Sequence, residues 1–364
     1  METSPLAPGT FINISFDLLK PGVIDYTCPQ VAKKTRRYSG VRCRIFQREP
    51  HAVWVSKARK IKEQSIWKQK EKHIMQWKTK ITELLGCRYP ILQGAMERIG
   101  TWSFAASVAA AGAHGTITAS ISRTPEKLRD DIRRCKDATS GSFGVNLSIG
   151  ICPQIDKMLE VCIEEKVPLE TSVYKPDALA QRIKESGLPW IHKSARVKDA
   201  IHAQDLGVDA IILVGSEGAG IKNPEQLPTM TTILWGVRKL TVPVIAAGGI
   251  GDARGLPGAL ALGAEGVTMG SAFMTTAECP INDQFKEKML GLGLDQPEFR
   301  KRVLTPAPFD RNAASRPAPA DVDWSDAASF SVTGIDRVLS VKALIQRITA
   351  DAEELVNGWQ FLKK

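Results

Sequence analysis

Short runs of apolar residues alternate with amphipathic stretches between about residue 80 and residue 275. The stretches between the runs repeat apolar residues at helical intervals, whereas the runs themselves have the length and composition of buried strands. The runs, which we predict to be strands, are YPILQGAM (89–96), HGTITAS (114–120), FGVNLSI (143–149), VPLETSV (167–173), PWIHKS (189–194), DAIILVG (209–215), VPVIAAGG (242–249) and GVTMGSAF (266–273). The pattern therefore predicts eight strands separated by helices.

Eight such units favour one closed fold. Continuous Val, Ile and Ala runs joined by helices indicate a parallel sheet that is buried on both faces. Eight strand–helix units favour a (β/α)8 TIM barrel over an open doubly wound sheet, and the first strand is not followed by the G-x-G-x-x-G of a dinucleotide fold. We place the barrel at residues 75–300. Residues 301–364 are interpreted as a Pro-rich connector and an amphipathic terminal helix packed on the barrel, with a structural role.

The N-terminal segment, residues 1–74, has a different composition. It holds 15 Lys and Arg against 6 Asp and Glu, and so carries almost all of the net charge of +10. It has no contiguous apolar stretch of the kind that a signal peptide needs. We expect a disordered, dispensable extension or a wrongly chosen start codon, with a targeting segment or a polyanion-binding arm as alternatives. The barrel pattern needs nothing from this segment, so a chain that begins at Met75 should still fold.

Composition narrows the class of protein. No apolar run reaches the length of about 20 residues that a membrane span needs. The seven cysteines are odd in number and show no C-x-x-C spacing, which indicates reduced packing residues in a cytoplasmic protein without a metal site. Membrane and nucleic-acid partners are therefore not expected, and a homodimer is left open.

The last two strands end in glycine and a small hydroxyl. Gly248 and Gly249 follow strand seven, and Gly270 and Ser271 follow strand eight. In a TIM barrel the loops after these strands often bind phosphate, and a helix that begins near Asp252 would add its N-terminal N–H groups. The alternative is that the glycines only allow tight turns. The position of both loops favours a phosphate site.

Polar residues end the other strands and would meet at the same mouth of the barrel. They are Gln93, Asn146, Glu170, Lys193 and the run Ser216-Glu217-Gly218. Amide, carboxylate and ammonium groups around one opening suit a planar heterocycle with carbonyl and ring-nitrogen positions, and a lysine would stabilise the anionic form of a reduced flavin. With the phosphate loops, these residues predict a mononucleotide cofactor.

The same segments resemble the nitronate monooxygenase family, which is close to the FMN-dependent enoyl-[acyl carrier protein] reductases. The resemblance covers roughly residues 80–290 and rests on YPILQGAM, FGVNL, ETSV, the stretch from Ile191 to Gly220, and the stretch from Val242 to Met274. It implies FMN as the cofactor. It also implies three sets of contacts: Gln93, Gly94, Met96, Asn146 and Lys193 beside the flavin ring, Gly215 and Ser216 at its edge, and Gly248, Gly249, Gly270 and Ser271 at the phosphate.

The chain departs from the family after strand six. Many relatives carry a catalytic histidine there, and Ile221 stands in its place. Three residues remain as catalytic candidates: Lys193, the neighbouring His192, and Glu217 as an alternative base. His192 should point away from Lys193 on a strand, so a core role is the competing interpretation.

The resemblance implies oxidation of alkyl nitronates by O2, with a carbonyl compound and nitrite as products. A nitronate is already ionised, so the missing histidine threatens activity on neutral nitroalkanes more than on nitronates. The alternatives are an NAD(P)H-dependent FMN reductase of a quinone or enoyl thioester, and a flavin-binding protein without turnover.

Overall fold

The computed structural model describes residues 76–306 and 323–359. Eight parallel strands occur where the apolar runs predict them, which confirms the (β/α)8 barrel. Their bounds are β1 Ile91–Gln93, β2 Gly115–Thr118, β3 Phe143–Ser148, β4 Leu169–Ser172, β5 Trp190–Ser194, β6 Ala210–Val214, β7 Val244–Ala247 and β8 Gly266–Met269.

Each strand pairs in parallel with its neighbours around the barrel. The hydrogen-bonded order is β1-β8-β7-β6-β5-β4-β3-β2. Between β1 and β2 the ring is closed by a bridge of Leu92 with His114, where Gln93 N donates to His114 O at 2.8 Å and His114 N donates to Ile91 O at 2.9 Å. All strands therefore end at the same mouth.

Helices follow the strands and form the outer layer. Their bounds are α1 Lys80–Leu85, α2 Trp102–Ala110, α3 Ala119–Ser122, α4 Pro125–Ala138, α5 Ile155–Glu164, α6 Asp177–Ser186, α7 Val197–Asp205, α8 Thr229–Lys239, α9 Gly255–Ala261, α10 Ser271–Met274, α11 Asp283–Leu290, α12 Pro297–Leu304 and α13 Val341–Gly358. The terminal helix α13 contacts α2 and α9 and so packs on the barrel, as its apolar stripe predicts.

Local sequence explains how these helices begin and which face they bury. The side chain of Thr124 accepts a hydrogen bond from Lys127 N, and Pro125 occupies the first turn of α4, where its missing N–H costs nothing. Leu128 and Ile132 lie one turn apart on the buried face of this helix. Burial of such side chains contributes about 1.5–3 kcal/mol each.

The inside of the barrel is apolar on one side and polar on the other. Ile191, Ile212 and Ile245 of β5–β7 form an inner apolar cluster with Leu92 of β1, and Ile81 of α1 joins it. On β2–β4 every second residue packs outward against the helices, and the residues between them, which point into the barrel, are polar. These polar residues are Thr116, Thr118, Asn146, Ser148, Glu170 and Ser172, and all of them are buried.

The described cysteines are buried thiols. Cys87, Cys135, Cys152, Cys162 and Cys279 are free, and burial raises the pKa of Cys87 to about 11. Their burial agrees with the packing role that their spacing predicts, and unreactive thiols are expected where the thiolate is disfavoured.

Two predicted segments lie outside the described residues: the basic extension and most of the Pro-rich connector. The domain boundaries drawn at residues 74 and 300 therefore stay predictions. Among the helices of residues 76–306 and 323–359, none is both long and apolar enough to cross a lipid bilayer.

Candidate active site

A cavity of about 730 Å³ opens at the mouth where the strands end. Its walls come from the loops after β1 and β3–β8, together with part of the segment 323–335. Of the predicted site residues, those on the walls are Gly94, Met96, His192, Lys193, Gly248, Gly249, Gly270 and Ser271. The loops that the sequence singles out thus meet around one space.

The glycines after β7 adopt backbone conformations that other residues rarely reach. Gly248 has φ of +103° and Gly249 has φ of +70°. A Cβ added to Gly248 would lie 2.8 Å from Thr229 Oγ1 and 2.9 Å from Gly215 O, so the turn also packs against its neighbours. Glycine is required here for backbone conformation and for close packing.

Gly270 after β8 is different, because a Cβ built on it would meet no atom within 4 Å. Its φ of −106° is not in the left-handed region. Packing against the protein therefore does not explain this glycine. It lines the cavity, so the open space beside its backbone is space for a ligand.

Free backbone N–H groups surround that space. In the part of the chain that the structure describes, neither Gly249 N nor Gly270 N donates to a backbone carbonyl. Ser271 is the first residue of α10, where an N–H has no acceptor within the helix. Successive unpaired N–H groups form a concave site for an anion. The phosphate role of these residues stays a prediction, which the open space beside Gly270 supports.

The hydroxyl of Ser271 is bonded to a segment for which the sequence predicts only a structural role. Ser271 Oγ accepts from Ser329 N at 2.9 Å, and Ser329 Oγ lies 2.8 Å from Ser331 Oγ. Ser329, Ser331, Trp324 and Ala327 line the cavity. The short 3₁₀ helices Trp324–Ala327 and Phe330–Gly334 thus contribute to one cavity wall, which the sequence did not predict.

The end of β1 holds a buried amide without a partner. Gln93 Oε1 accepts from Thr116 N at 3.2 Å, but Gln93 Nε2 has no hydrogen-bond partner among the described residues. Thr268 Oγ1, on the cavity wall at β8, is buried and unpartnered in the same part of the structure. Buried polar groups normally have partners, but neither atom is exposed to the cavity, so their missing partners do not indicate what binds there.

A hydrogen-bonded network covers the polar side of the barrel. Asn146 Nδ2 donates to Glu170 Oε1 at 3.0 Å and to Ser172 Oγ at 3.1 Å, and Ser148 Oγ donates to Asn146 Oδ1 at 2.7 Å. Glu97 Oε1, 3.1 Å from Ser148 Oγ, is an alternative acceptor for the same hydroxyl, and Glu97 lies on the cavity wall. Asn146 is therefore fixed in orientation from both sides.

Glu170 is the titratable group at the centre of this network. Burial raises the pKa of its carboxyl to about 7, although the charge of Lys193 and the hydrogen bond from Asn146 act in the opposite direction. Lys193 itself is half-buried and lines the cavity at the end of β5. Glu170 does not line the cavity, so of these two groups only Lys193 can contact a molecule bound there.

The loop after β6 differs from what the sequence predicts. Gly215 and Ser216, expected at the flavin edge, are not among the cavity-lining residues, whereas Gly218 is. A Cβ on Gly215 would fall 2.1 Å from Thr229 Oγ1, so this glycine serves the packing of α8 on the loop. Sequence patterns do not distinguish a glycine that faces a ligand from one that faces a helix.

Glu217, expected as an alternative base, is held at the start of α8. Its Oε2 accepts from Thr229 N and from Thr229 Oγ1, both at 2.8 Å, and Ser216 Oγ donates to it at 3.4 Å. A carboxylate at a helix N-terminus is stabilised by the helix dipole. Glu217 does not line the cavity, which together with these contacts favours a capping role, and the catalytic role expected of it stays a prediction.

His192 lies on the outward-facing side of β5 and reaches the cavity wall with one edge. Trp190 Nε1 donates to Thr171 Oγ1 at 2.8 Å, and Thr171 Oγ1 lies 2.9 Å from His192 Nδ1. Burial lowers the pKa of His192 to about 4, so the ring is neutral at pH 7. This setting favours the core interpretation, and a catalytic role for His192 stays a prediction.

Ile221 faces the cavity at the place of the family histidine and is 43% exposed. The next residue, Lys222, also lines the cavity, although no sequence pattern predicts a role for it. The one feature of the sequence that could have singled out Lys222 is its position next to Ile221.

Comparisons with known proteins agree with this architecture. The family model for nitronate monooxygenase matches residues 78–313. A probable nitronate monooxygenase of Staphylococcus aureus is 30% identical over 257 residues, which cover 58% of this chain and 72% of that protein. FabK from Thermotoga maritima superposes with a TM-score of 0.66 at 29% identity, covering 77% of this chain and 97% of the other.

A second curated relative has a different name. The (3aS,4S,5R,7aS)-5-hydroxy-7a-methyl-1-oxo-octahydro-1H-indene-4-carboxyl-CoA dehydrogenase of Mycobacterium tuberculosis is 34% identical over 231 residues. The match covers 63% of this chain and 64% of that protein, less than two thirds of its length. The chain belongs to the nitronate monooxygenase family, whose members are flavin-dependent oxidoreductases, and this membership makes it an enzyme.

Proposed function

We propose that this chain binds FMN in the mouth of its barrel and oxidises alkyl nitronates with O2 to a carbonyl compound and nitrite. The site fits FMN on two observations. The backbone beside Gly270 is open where a phosphate would lie, and Lys193 lines the same cavity at the end of β5. Bound FMN would supply a two-electron acceptor that can pass electrons to O2.

Separate parts of the chain would hold separate parts of the cofactor. Gly249, Gly270 and Ser271 line the cavity, and their backbone N–H groups would bind the phosphate. Gln93 and Asn146 are buried in β1 and β3 and do not line the cavity, so their contact with the flavin stays a prediction. Lys193 contributes a positive charge there, which would stabilise anionic character at the pyrimidine edge of a flavin.

The observation that most supports a nitronate as the substrate is the positive charge of the lysines on the cavity wall, close to the apolar side chain of Ile221. Three lysines line the cavity, Lys175, Lys193 and Lys222. The guanidinium of Arg196 is on the same wall but is paired with Asp199, with Nε 2.7 Å from Oδ2. A nitronate is an anion with a small apolar substituent, so lysine charge and the side chain of Ile221 suit its two ends.

Product analysis tests this proposal. Propyl-2-nitronate in air should give equal amounts of acetone and nitrite with the flavin-loaded protein and neither with protein from which the flavin has been removed. Nitronate that decays at the same rate in both samples would overturn the proposal.

A thioester reductase is the second candidate, favoured by the name of the mycobacterial relative and by the likeness to FabK. The lysines on the cavity wall would suit the phosphates of a CoA thioester as well as they suit a nitronate. Oxidation of NAD(P)H that depends on an enoyl-CoA, without nitrite formation from nitronate, would establish this candidate in place of the first.

A further inference from the structure

The loop between β6 and α8 brings an amine to the cavity beside Ile221. Lys222 is half-buried and lines the cavity, and its Nζ donates to Ser216 O at 2.6 Å. This hydrogen bond uses one N–H of the amine and fixes the position of Nζ. No other hydrogen bond of Nζ is found among the described residues, so the rest of the amine can interact with a molecule in the cavity.

Burial makes this amine a base at moderate pH. Desolvation lowers the pKa of Lys222 to about 8, and the charge of Glu217 acts in the opposite direction. The other charged groups on the cavity wall are Glu97, Lys175, Lys193, Arg196 and Asp199. With that pKa, about a tenth of Lys222 is the free amine at pH 7 and most of it is at pH 9.

We propose that Lys222 is the general base that removes the α-proton from a neutral nitroalkane, in a loop where the neighbouring Ile221 has no group that could accept a proton. The inference rests on the proposed function, and it extends the substrates from nitronates to their parent nitroalkanes. The C–H bond breaks, its electron pair moves into the nitro group to give the nitronate, and the proton forms a new bond to Nζ. The step needs no further reactant.

The rival groups are less suitable for this step. The carboxylate of Glu217 is occupied by Thr229 at the start of α8 and does not line the cavity. His192 has its Nδ1 at the hydroxyl of Thr171. Glu170 is bonded to Asn146 within the barrel. Lys222 combines a cavity position with an amine that loses its proton in the working pH range.

Two variants separate the base from the charge. Lys222→Met removes both, whereas Lys222→Arg keeps the charge but cannot lose a proton at ordinary pH. Both should lower kcat/KM for 2-nitropropane about 10²–10⁴-fold, the usual contribution of a positioned base. In both, the increase of kcat/KM with pH, which has its midpoint near pH 8 in the native protein, should disappear. Lys222→Arg should lower kcat/KM less for propyl-2-nitronate than for 2-nitropropane, because the nitronate needs no proton removed. Lys239→Met, the same change at the exposed end of α8, serves as the matched control.

A second readout needs neither flavin nor turnover. Loss of deuterium from 2-deuterated 2-nitropropane into water, followed by NMR, reports the proton transfer alone, and it should be faster with native protein than with either Lys222 variant. Native rates of deuterium loss in both variants would overturn the inference. If the native protein catalyses deuterium loss but oxidises no nitronate, the proposed function fails and the role of Lys222 stands.

Discussion

Replacement of Gly270 by alanine should separate cofactor binding from folding. A Cβ at this position meets no atom of the described residues within 4 Å, so we expect the free energy of unfolding to change by less than about 0.5 kcal/mol. The new methyl group would occupy the space in which we propose the phosphate to lie. A charge-assisted hydrogen bond contributes about 1.5–3 kcal/mol, so the loss of one bond to phosphate should weaken FMN binding roughly 10- to 150-fold.

Two other glycines of the barrel provide the controls. Gly248→Ala places a Cβ 2.8 Å from Thr229 Oγ1 at φ of +103°, which should destabilise the protein by about 2–5 kcal/mol. Gly258 lies within α9 and also has nothing within 4 Å of its Cβ position. Gly258→Ala should leave FMN affinity unchanged and stabilise the helix by up to about 1 kcal/mol.

The assay is a titration of flavin-free protein by quenching of flavin fluorescence, with urea unfolding of the same samples. Riboflavin, which lacks the phosphate, is the comparison ligand. Gly270→Ala should weaken FMN binding and leave riboflavin binding unchanged. Equal losses for the two ligands, or native affinity for FMN, would refute the phosphate site at this loop.

Three further outcomes follow from the site. Lys193→Met should weaken FMN binding or lower the reduction potential of the bound flavin, measured by titration and spectroelectrochemistry; unchanged values would place Lys193 outside the site. Burial raises the pKa of Glu170 from 4.5 to about 7, so the unfolded chain ionises first and stability falls as pH rises through this range. Glu170→Gln should remove this fall in stability, which is at most roughly 3 kcal/mol between pH 5 and pH 8 when measured by urea unfolding. A variant with the same pH dependence as the native protein would contradict this reasoning. Ile221→His in the Lys222→Met background should restore part of the activity on 2-nitropropane but not change that on propyl-2-nitronate, as nitrite assays would show.

The eight strands and their order were predictable because each is a continuous apolar run that must be buried on both faces. The glycine loops after β7 and β8 were predictable because a closed barrel brings their ends to one mouth. Local sequence does not tell why each glycine is there. Gly215 packs against Thr229 and Gly270 borders open space, a difference that depends on what the fold brings near each residue.

Two parts of the site could not be predicted from the sequence, for physical reasons. The wall formed by Ser329 and Ser331 comes from short 3₁₀ helices without an apolar period, and it reaches the cavity through a bond to Ser271 made 58 residues away. The pKa of Lys222 is lowered by tertiary burial, which no spacing along the chain reveals.

Anaerobic mixing of the flavin-loaded protein with propyl-2-nitronate tests the central claim most directly. The absorbance of the bound flavin near its visible maximum should fall rapidly with the nitronate and return when air is admitted, and the cofactor released by heat should have the mass of FMN. Bleaching by NAD(P)H alone, with no change on addition of nitronate, would contradict the account.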